Sequence, residues 1–212
     1  MSPVRLNGST SGYSELSAPA VAGNNTLTLP TGNGSANQIL RNGATAGSLE
    51  FTDKIVSATA VASTSGTSID FTGIPSWVKR VTVMFNGVST NGTSNPLVRL
   101  GTSGGIAASG YLSGTGFVWT SANACQAYTD TTGFLTCVSF TAAGVFSGAF
   151  VLTNLSSNAW VAAGTLYRSD VGQVFMPSGT VTLSGALDRV RITTVNGTDT
   201  FDAGSINIAY EG

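Results

Sequence analysis

The sequence predicts an all-β fold in which an extended N-terminal β-arm, forming a short trimeric shaft, precedes an antiparallel, jelly-roll-like β-sandwich. The first observation is composition, since only 9% of the 212 residues are charged, against a usual ~25%. Ser, Thr, Asn and Gly supply the polarity; β-branched Thr suits a pleated sheet, and Gly disfavours a helix. The second observation is periodicity, because alternating apolar and polar runs recur and no segment is typical of an amphipathic helix.

Residues 1–52 are predicted to form the arm. Short strand-like pieces, separated by turn residues, lie at 4–6, 13–16, 26–29, 38–40 and 49–51. Each piece is too short to stabilise a sheet alone. Leu27 and Leu29 alternate with Thr and so share one face, and three such faces about an axis would enclose a dry core. We therefore expect this segment to pack against other copies of the chain.

Residues 53–212 predict the sandwich. About a dozen alternating runs separated by turn signals are typical of two packed antiparallel sheets. In the run "WVKRVTVMFNGVS", Val81, Val83 and Phe85 share one face with Lys79, which indicates that this face is the more buried. Met84, on the opposite face, indicates partial cover there as well.

Composition also excludes several classes of function. The chain has no His, which removes Ser-His-Asp and Cys-His catalysis and His-ligated zinc or haem. A net charge of −1 does not indicate the basic surface that would bind nucleic acid or anionic lipid. No apolar run approaches the ~20 residues of a membrane span, and the N-terminus lacks the apolar core of a signal peptide. We expect cytoplasmic synthesis, no membrane insertion, no metal and no cofactor.

The two cysteines leave two interpretations open. Cys125 and Cys137 are equidistant from Thr131, so a hairpin centred there would place them opposite each other and allow a cross-strand disulfide. A cytoplasmic protein would instead keep both thiols free, where they behave as small buried hydrophobes.

The acidic residues are scattered, and their nearest approach to a cluster is Asp188, Asp199, Asp202 and Glu211. Asp199 and Asp202 lie in "VNGTDTFDAGS", where Asp and Asn are expected for turn formation alone. A calcium site formed by these two carboxylates is an alternative hypothesis. A carboxylate pair for glycoside hydrolysis is formally possible, although no convincing pair is present.

Several motifs resemble one protein family. The opening "GSTSGYSEL.APA", then "TLTLPTGNGSANQIL" and the close "G..G.L.F" are similar to the stretch that precedes the terminal domain in tail-fibre and related virion proteins of tailed phages, cyanobacterial phages included. "STSGTSIDFTGIPSWVKRVTVMFNGVST" and "SGALDRVRITTVNGTDTFDAGSINIAYEG" resemble the β-rich domain attached in such proteins. The resemblance implies homotrimers whose chains entwine about a three-fold axis. Because a long shaft and a dedicated anchoring domain are missing, we expect a short fibre or spike.

The resemblance leads to a virion protein whose arm docks to other virion proteins and whose sandwich is exposed to the host surface. The expected host-contact loops, at 89–95, 101–113 and 196–204, are rich in Ser, Thr, Asn and Gly. Candidate contact residues, including rings that would stack on cell-surface glycans, are Thr90, Asn91, Tyr111, Trp119, Asp199 and Asp202. For each ring the alternative is packing in the core.

Two further functions remain as alternatives. In the first, the protein is a capsid decoration protein whose arm clamps neighbouring capsomers, without host binding. In the second, it is a tailspike that degrades polysaccharide, which the lack of a carboxylate pair disfavours. We therefore expect a structural protein of the virion that is not an enzyme.

Overall fold

The computed structural model describes residues 4–7, 9–118 and 125–212, and all the regular secondary structure in them is β. The strands are β1 (Val4–Asn7), β2 (Tyr13–Leu16), β3 (Ile39–Asn42), β4 (Leu49–Thr52), β5 (Val56–Ser57), β6 (Val61–Ala62), β7 (Ser68–Thr72), β8 (Arg80–Thr90), β9 (Pro96–Thr102), β10 (Gly105–Ile106), β11 (Leu112–Val118), β12 (Cys125–Asp130), β13 (Phe134–Leu135), β14 (Phe146–Ser156), β15 (Ala159–Arg168), β16 (Gln173–Thr182), β17 (Arg189–Thr194) and β18 (Phe201–Glu211). The named strands pair in antiparallel fashion throughout, which confirms the predicted all-β class.

The chain divides into two compact units, Met1–Lys54 and Ile55–Gly212. In the first unit, β1 pairs with β2 and β3 pairs with β4, so four of the five predicted pieces are strands. The fifth piece, 26–29, contributes an isolated parallel bridge from Thr28 to Ser48. Two-stranded hairpins of this length are marginally stable alone, so the unit lacks a sheet that would hold it together by itself.

The second unit is built from two antiparallel sheets. A five-stranded sheet has the order β10-β9-β17-β7 with β13 on β9, and a nine-stranded sheet has the order β12-β11-β16-β15-β14-β8-β18-β5 with β6 on β18. One cluster of buried residues draws on both sheets. Across it, the rings of Phe134 in β13 and Phe150 in β14 lie 5.6 Å apart. Two sheets sharing one core are consistent with the predicted sandwich.

The core is shaped by the alternation of side chains along each strand. In β8, Val81, Val83 and Phe85 are buried and Met84 is half-buried on the opposite face, as the sequence predicted. In β15, Gly164 provides room for a ring, since a Cβ there would lie 2.9 Å from Cδ2 of Phe150. Such close packing explains why a bulky residue could not replace this glycine.

Strand register defines two ends of the sandwich. At the proximal end, β18 finishes where Tyr210 pairs with Val56, beside the start of the unit. At the distal end, β18 begins where Phe201 pairs with Thr90. The loops 90–95 and 195–200 lie at the distal end, while the hairpin at 154–159 lies at the proximal end because Thr153 pairs with Arg80.

Candidate interaction surfaces

Most large apolar side chains of the first unit are exposed, whereas those of Leu49 and Phe51 are half-buried. In the described chain, the buried apolar residues all lie at Ile69 or beyond. The exposed large apolar residues of the first unit are Val4, Leu6, Tyr13, Leu16, Val21, Leu27, Leu29, Ile39 and Leu40. Nine such residues within 54 form far more apolar surface than single, scattered exposures would.

The piece at 26–29 is held in place through its backbone. The Thr28 N–H donates to the Gly47 carbonyl at 2.8 Å, and the Leu49 N–H donates to the Thr28 carbonyl at 2.8 Å. A Cβ at Gly47 would meet the Thr26 carbonyl oxygen, and the φ of +82° at Gly47 also favours glycine. The predicted alternation therefore displays two leucines, Leu27 at 68% and Leu29 at 72% exposure, on a pinned backbone.

Surface ion pairs are the polar contacts that cross the two arm hairpins. Arg5 contacts Glu15 at 2.8 Å across the first hairpin and lies 4.5 Å above the ring of Tyr13. Arg41 contacts Glu50 at 3.1 Å across the second. Pairs this exposed contribute only about 0–1 kcal/mol. The arm is therefore weakly stabilised by its own side chains.

The loops at the distal end are joined by backbone and side-chain hydrogen bonds. The Asn91 N–H donates to the Thr200 carbonyl, and the Thr200 N–H donates to Asn91 Oδ1, each at 2.9 Å. Asp199 Oδ2 accepts from the Ser94 N–H at 2.8 Å, and Asp199 Oδ1 accepts from Asn196 Nδ2 at 2.7 Å. The structure thus brings Asn91 and Asp199 into adjacent loops, where both side chains hold the loops together.

Gly92 allows the close approach of these loops. A Cβ at Gly92 would overlap the carboxylate of Asp199. Asp202 lies on β18 instead, where its carboxylate accepts a hydrogen bond from the Ser89 hydroxyl. Among the described residues there is no group of three or more His, Cys, Asp or Glu side chains that could hold a metal ion. Both carboxylates of the calcium hypothesis therefore already have partners.

Two of the predicted contact residues prove to be buried, so the prediction that they face the host is wrong. Thr90 ends β8 inside the sandwich with a fully buried side chain. Tyr111 is only 1% exposed, and its hydroxyl accepts from the Leu100 N–H at 2.8 Å and donates to the Ala107 carbonyl at 3.0 Å. Burial raises the pKa of Tyr111 to about 12. Core packing, the alternative for each ring, holds for Tyr111, while Trp119 lies outside the described residues.

The three predicted contact loops do not gather at one end. The loops 89–95 and 196–204 meet at the distal end, but the 101–113 segment lies towards the proximal end, since Gly101 pairs with Arg189 and the Asp188 N–H donates to the Gly101 carbonyl. This segment also contains β10, which pairs back onto β9. The segment 101–113 is therefore separated from the other two predicted contact loops along the strands.

A buried arginine at the distal end was missed by the sequence analysis. Arg168, at the end of β15, is 1% exposed, and its guanidinium donates to the carbonyls of Val138 and Ser139 at 3.1 and 2.9 Å. It also forms a two-point contact with Asp170, with Nη2–Oδ2 at 2.5 Å. Burial raises the pKa of the Asp170 carboxyl, but the hydrogen bond and charge of Arg168 outweigh this and leave the pKa below its ordinary value. The sequence signal for this ion pair is the order Arg-Ser-Asp at 168–170, which places an acidic residue two positions after the arginine.

The predicted hairpin centred on Thr131 is absent from the described structure. β12 pairs with β11 in the nine-stranded sheet, whereas β13 pairs with β9 in the five-stranded sheet. This arrangement does not place Cys125 and Cys137 opposite each other on paired strands. Cys137 is free and buried, and burial raises the pKa of its thiol. The free-thiol interpretation is thus confirmed for Cys137.

Every carboxylate of the chain has a partner in the structure. Six form ion pairs with arginine: Glu15, Glu50, Asp70, Asp170, Asp188 and Glu211. The other four accept hydrogen bonds: Asp53, Asp130, Asp199 and Asp202. A general acid and base pair would need carboxyl groups available to substrate and water, so these contacts favour structural roles.

The proximal end carries two adjoining depressions. One has a volume of about 190 Å³ and is lined by Lys79, Asn154 and Trp160 among others, and the second, of about 320 Å³, shares Ser76 and Leu187 with it. The Lys79 ammonium lies 3.4 Å from Asn154 Oδ1. The described lining supplies hydroxyl and amide groups suited to hydrogen bonding rather than to acid–base chemistry.

Comparison of the sequence with protein-family models and with curated proteins finds no match. In the part of the chain that the structure describes, no helix has the length and apolar character needed to cross a membrane.

Proposed function

We propose that this chain is a structural protein of a bacteriophage virion, a short homotrimeric fibre or spike. The arm at 1–52 associates with identical copies and docks to other virion proteins, and the sandwich at 53–212 is exposed. One observation carries the proposal: nine large apolar side chains of the arm are exposed in the single chain, whereas the buried apolar side chains of the described residues lie in the sandwich. The family resemblance of the arm motifs supports the same assignment.

The energetics favour association through the arm. Burying one leucine side chain contributes about 1.5–3 kcal/mol, so Leu27, Leu29 and their neighbours would supply several kcal/mol per chain. The arm's surface ion pairs offer about 0–1 kcal/mol each and do not compensate for that exposure. In a trimer, the equivalent apolar side chains of three copies would bury one another about the axis. A segment that has no core within one chain would thereby gain one between chains.

The host-contact role is assigned to the distal loops. Their backbone is fixed by Asn91, Asp199 and Asn196, so they form a pre-organised polar surface in which the Asp199 carboxylate is already hydrogen-bonded within the loops. Fixed loops lose little conformational entropy on binding, which favours shallow hydrogen bonding to a cell-surface glycan.

Capsid decoration is the second candidate, and one observation favours it. Of the six predicted host-contact residues, Thr90 and Tyr111 are buried, and Asn91, Asp199 and Asp202 bond within the chain. A decoration protein needs a stable fold and an arm that clamps neighbouring capsomers, and it needs no free receptor-binding side chains. Labelling particles with an antibody against 53–212 separates the two candidates, since fibres or spikes place the label on the tail and decoration places it on the head.

The association test uses sedimentation equilibrium of the full-length chain. We expect a trimer for the unaltered protein and dissociation for the variant carrying Leu27→Asp and Leu29→Asp. Val195→Asp is the control, because Val195 is exposed, at 41%, and lies in a distal loop of the second unit, away from the faces of both sheets. A monomeric unaltered chain, or equal effects of the arm and control substitutions, would refute the proposed role of the arm.

The proposal includes no enzymatic activity, which the paired state of the ten carboxylates supports. Incubating the purified protein with host polysaccharide should leave the polymer length unchanged. Shortening of the polymer would instead favour the polysaccharide-degrading tailspike.

A further inference from the structure

The nine-stranded sheet has an outward face that carries very little charge. This large-sheet face consists of the outward side chains of β11, β16, β15 and β14, together with those of β8 at 80–86 and of β18 at 205–211. In its described part the only charged side chains are Arg80 and Glu211, which pair with each other at 2.9 Å at the proximal end. Thr, Ala, Ser and Gly make up most of the remainder.

The outward face of the five-stranded sheet has the opposite character. Asp70, Arg191 and Arg99 form a row across three strands, since Arg191 pairs in register with both of the others. Arg191 contacts Asp70 through two hydrogen bonds of 2.7 Å. Charges on strands keep a sheet surface solvated and discourage association. The contrast indicates that the two faces of the sandwich meet different surroundings.

Large apolar side chains cluster at one side of the large-sheet face. Tyr167 in β15 pairs directly with Val174 in β16, and Met176 is the next outward residue along β16. Gly116 pairs with Met176, so β11 leaves a shallow depression beside this cluster. All three side chains are exposed, and a further exposed side chain, Leu112 on β11, lies four residues along the ladder, where it pairs with Thr180. A contiguous apolar cluster of this kind on a soluble domain is typical of a contact site.

We infer that the large-sheet face is the contact through which the sandwich packs against a second copy of this chain. Six strands about 4.8 Å apart and about eight residues long, at about 3.3 Å per residue, cover roughly 700–800 Å². A stable complex buries about 800 Å² on each partner, so this face, divided between two neighbours of a trimer, supplements the contact of the arm rather than forming a stable interface alone. An uncharged face complements another uncharged face and leaves no ion of the partner desolvated without a counter-charge.

This inference rests on the proposed self-association and adds a second contact to that of the arm. In a closed ring of three, each copy meets two neighbours through different parts of its surface, so the face would contact both neighbours around the axis. The five-stranded sheet, with Asp70, Arg99 and Arg191, would then face outward into solvent. Because the contact is apolar, its strength should depend little on salt concentration.

The test compares dissociation constants of full-length variants by analytical ultracentrifugation. Val174→Lys places an ammonium in the face, and Val195→Lys is the matched control because Val174 and Val195 are 40% and 41% exposed and Val195 lies in a distal loop. A second variant, Tyr167→Ser, removes apolar area without adding charge. Thermal unfolding of each variant verifies that the sandwich remains folded.

We expect Val174→Lys and Tyr167→Ser to weaken association at least tenfold, with Val195→Lys unchanged and little effect of salt. Dissociation constants that match that of Val195→Lys would overturn the inference. If substitution of Leu27 and Leu29 disrupts the trimer while Val174→Lys leaves it intact, the proposed role of the arm stands and this inference falls. Loss of particle attachment by Val174→Lys without loss of association would also overturn it, because the face would then bind another virion protein.

Discussion

The buried ion pair at the distal end gives the sharpest prediction about stability. Replacing Arg168 with Met keeps a shorter, unbranched apolar side chain at this position but removes the donors to two carbonyls and to Asp170. Removing one partner of a buried pair costs about 3–5 kcal/mol. Because the Asp170 side chain retains 16% exposure, we expect the lower part of that range. For a domain of this size, about 3 kcal/mol lowers the thermal midpoint by roughly 6–12 °C.

Thermal unfolding followed by circular dichroism measures this loss, with Arg191→Met as the matched control. Arg191 makes an equally well-formed pair with Asp70, but their side chains are 36% and 34% exposed, so we expect less than about 1 kcal/mol. The lowered pKa of Asp170 means that its ionised form stabilises the fold above about pH 4 and that this contribution disappears as pH falls through the folded-state value. The difference between the unaltered protein and Arg168→Met should therefore narrow in acid. Equal losses for the two arginine variants would contradict the role of burial.

Three further predictions concern side chains of the second unit. Asp199→Ala should destabilise the protein by about 1–3 kcal/mol in denaturant unfolding, because the Ser94 N–H and the Asn196 amide lose their acceptor. Because the Asp199 carboxylate is already occupied, calorimetric titration of the unaltered protein with calcium should release no heat. Tyr111→Phe should lower the free energy of unfolding by about 1–3 kcal/mol, because the Leu100 N–H loses its acceptor. In the native protein, one tyrosine should titrate only near pH 12 by ultraviolet absorbance, so the stability of the fold should decrease as pH rises from about 10 towards that value. The Cys137 thiol should resist thiol reagents in the native state and react on unfolding, and rapid native labelling at Cys137 would contradict its burial.

Alternation within strands was readable from the sequence because it depends on neighbouring residues alone. The buried positions of β8 followed from the two-residue period, and the strand pieces of the arm followed from the turn residues that separate them. β16 contains Pro177, a residue type that usually avoids central strands. The structure accommodates Pro177 by pairing it with Thr115 on β11, while the ladder to β15 is interrupted between Ala163–Ser178 and Leu166–Phe175.

The positions of the candidate site residues depended on long-range topology, which local pattern does not encode. Tyr111 lies in a Gly- and Ser-rich segment that suggests a surface loop, yet its ring packs at 5.0 Å from Phe134, a residue of another strand. Asp199 accepts a hydrogen bond from the N–H of Ser94, which lies 105 residues earlier in the sequence. Arg168 could not be recognised as buried because the carbonyls that receive its hydrogen bonds belong to a loop about 30 residues earlier. Many of the strands were therefore predictable from the sequence, whereas the polar residues that hold loops together were identified only from the three-dimensional structure.

Hydrogen exchange of the arm amides tests the central claim most directly. The amides of Thr28 and Leu49 bond within the arm, so their protection reports whether the arm is ordered. With increasing concentration of the full-length chain, protection of these amides should rise together with the trimer fraction, and it should be lost in the variant with Asp at positions 27 and 29. Strong protection that is the same at every concentration, in a chain that sediments as a monomer, would contradict the claim that the arm is ordered by its neighbours.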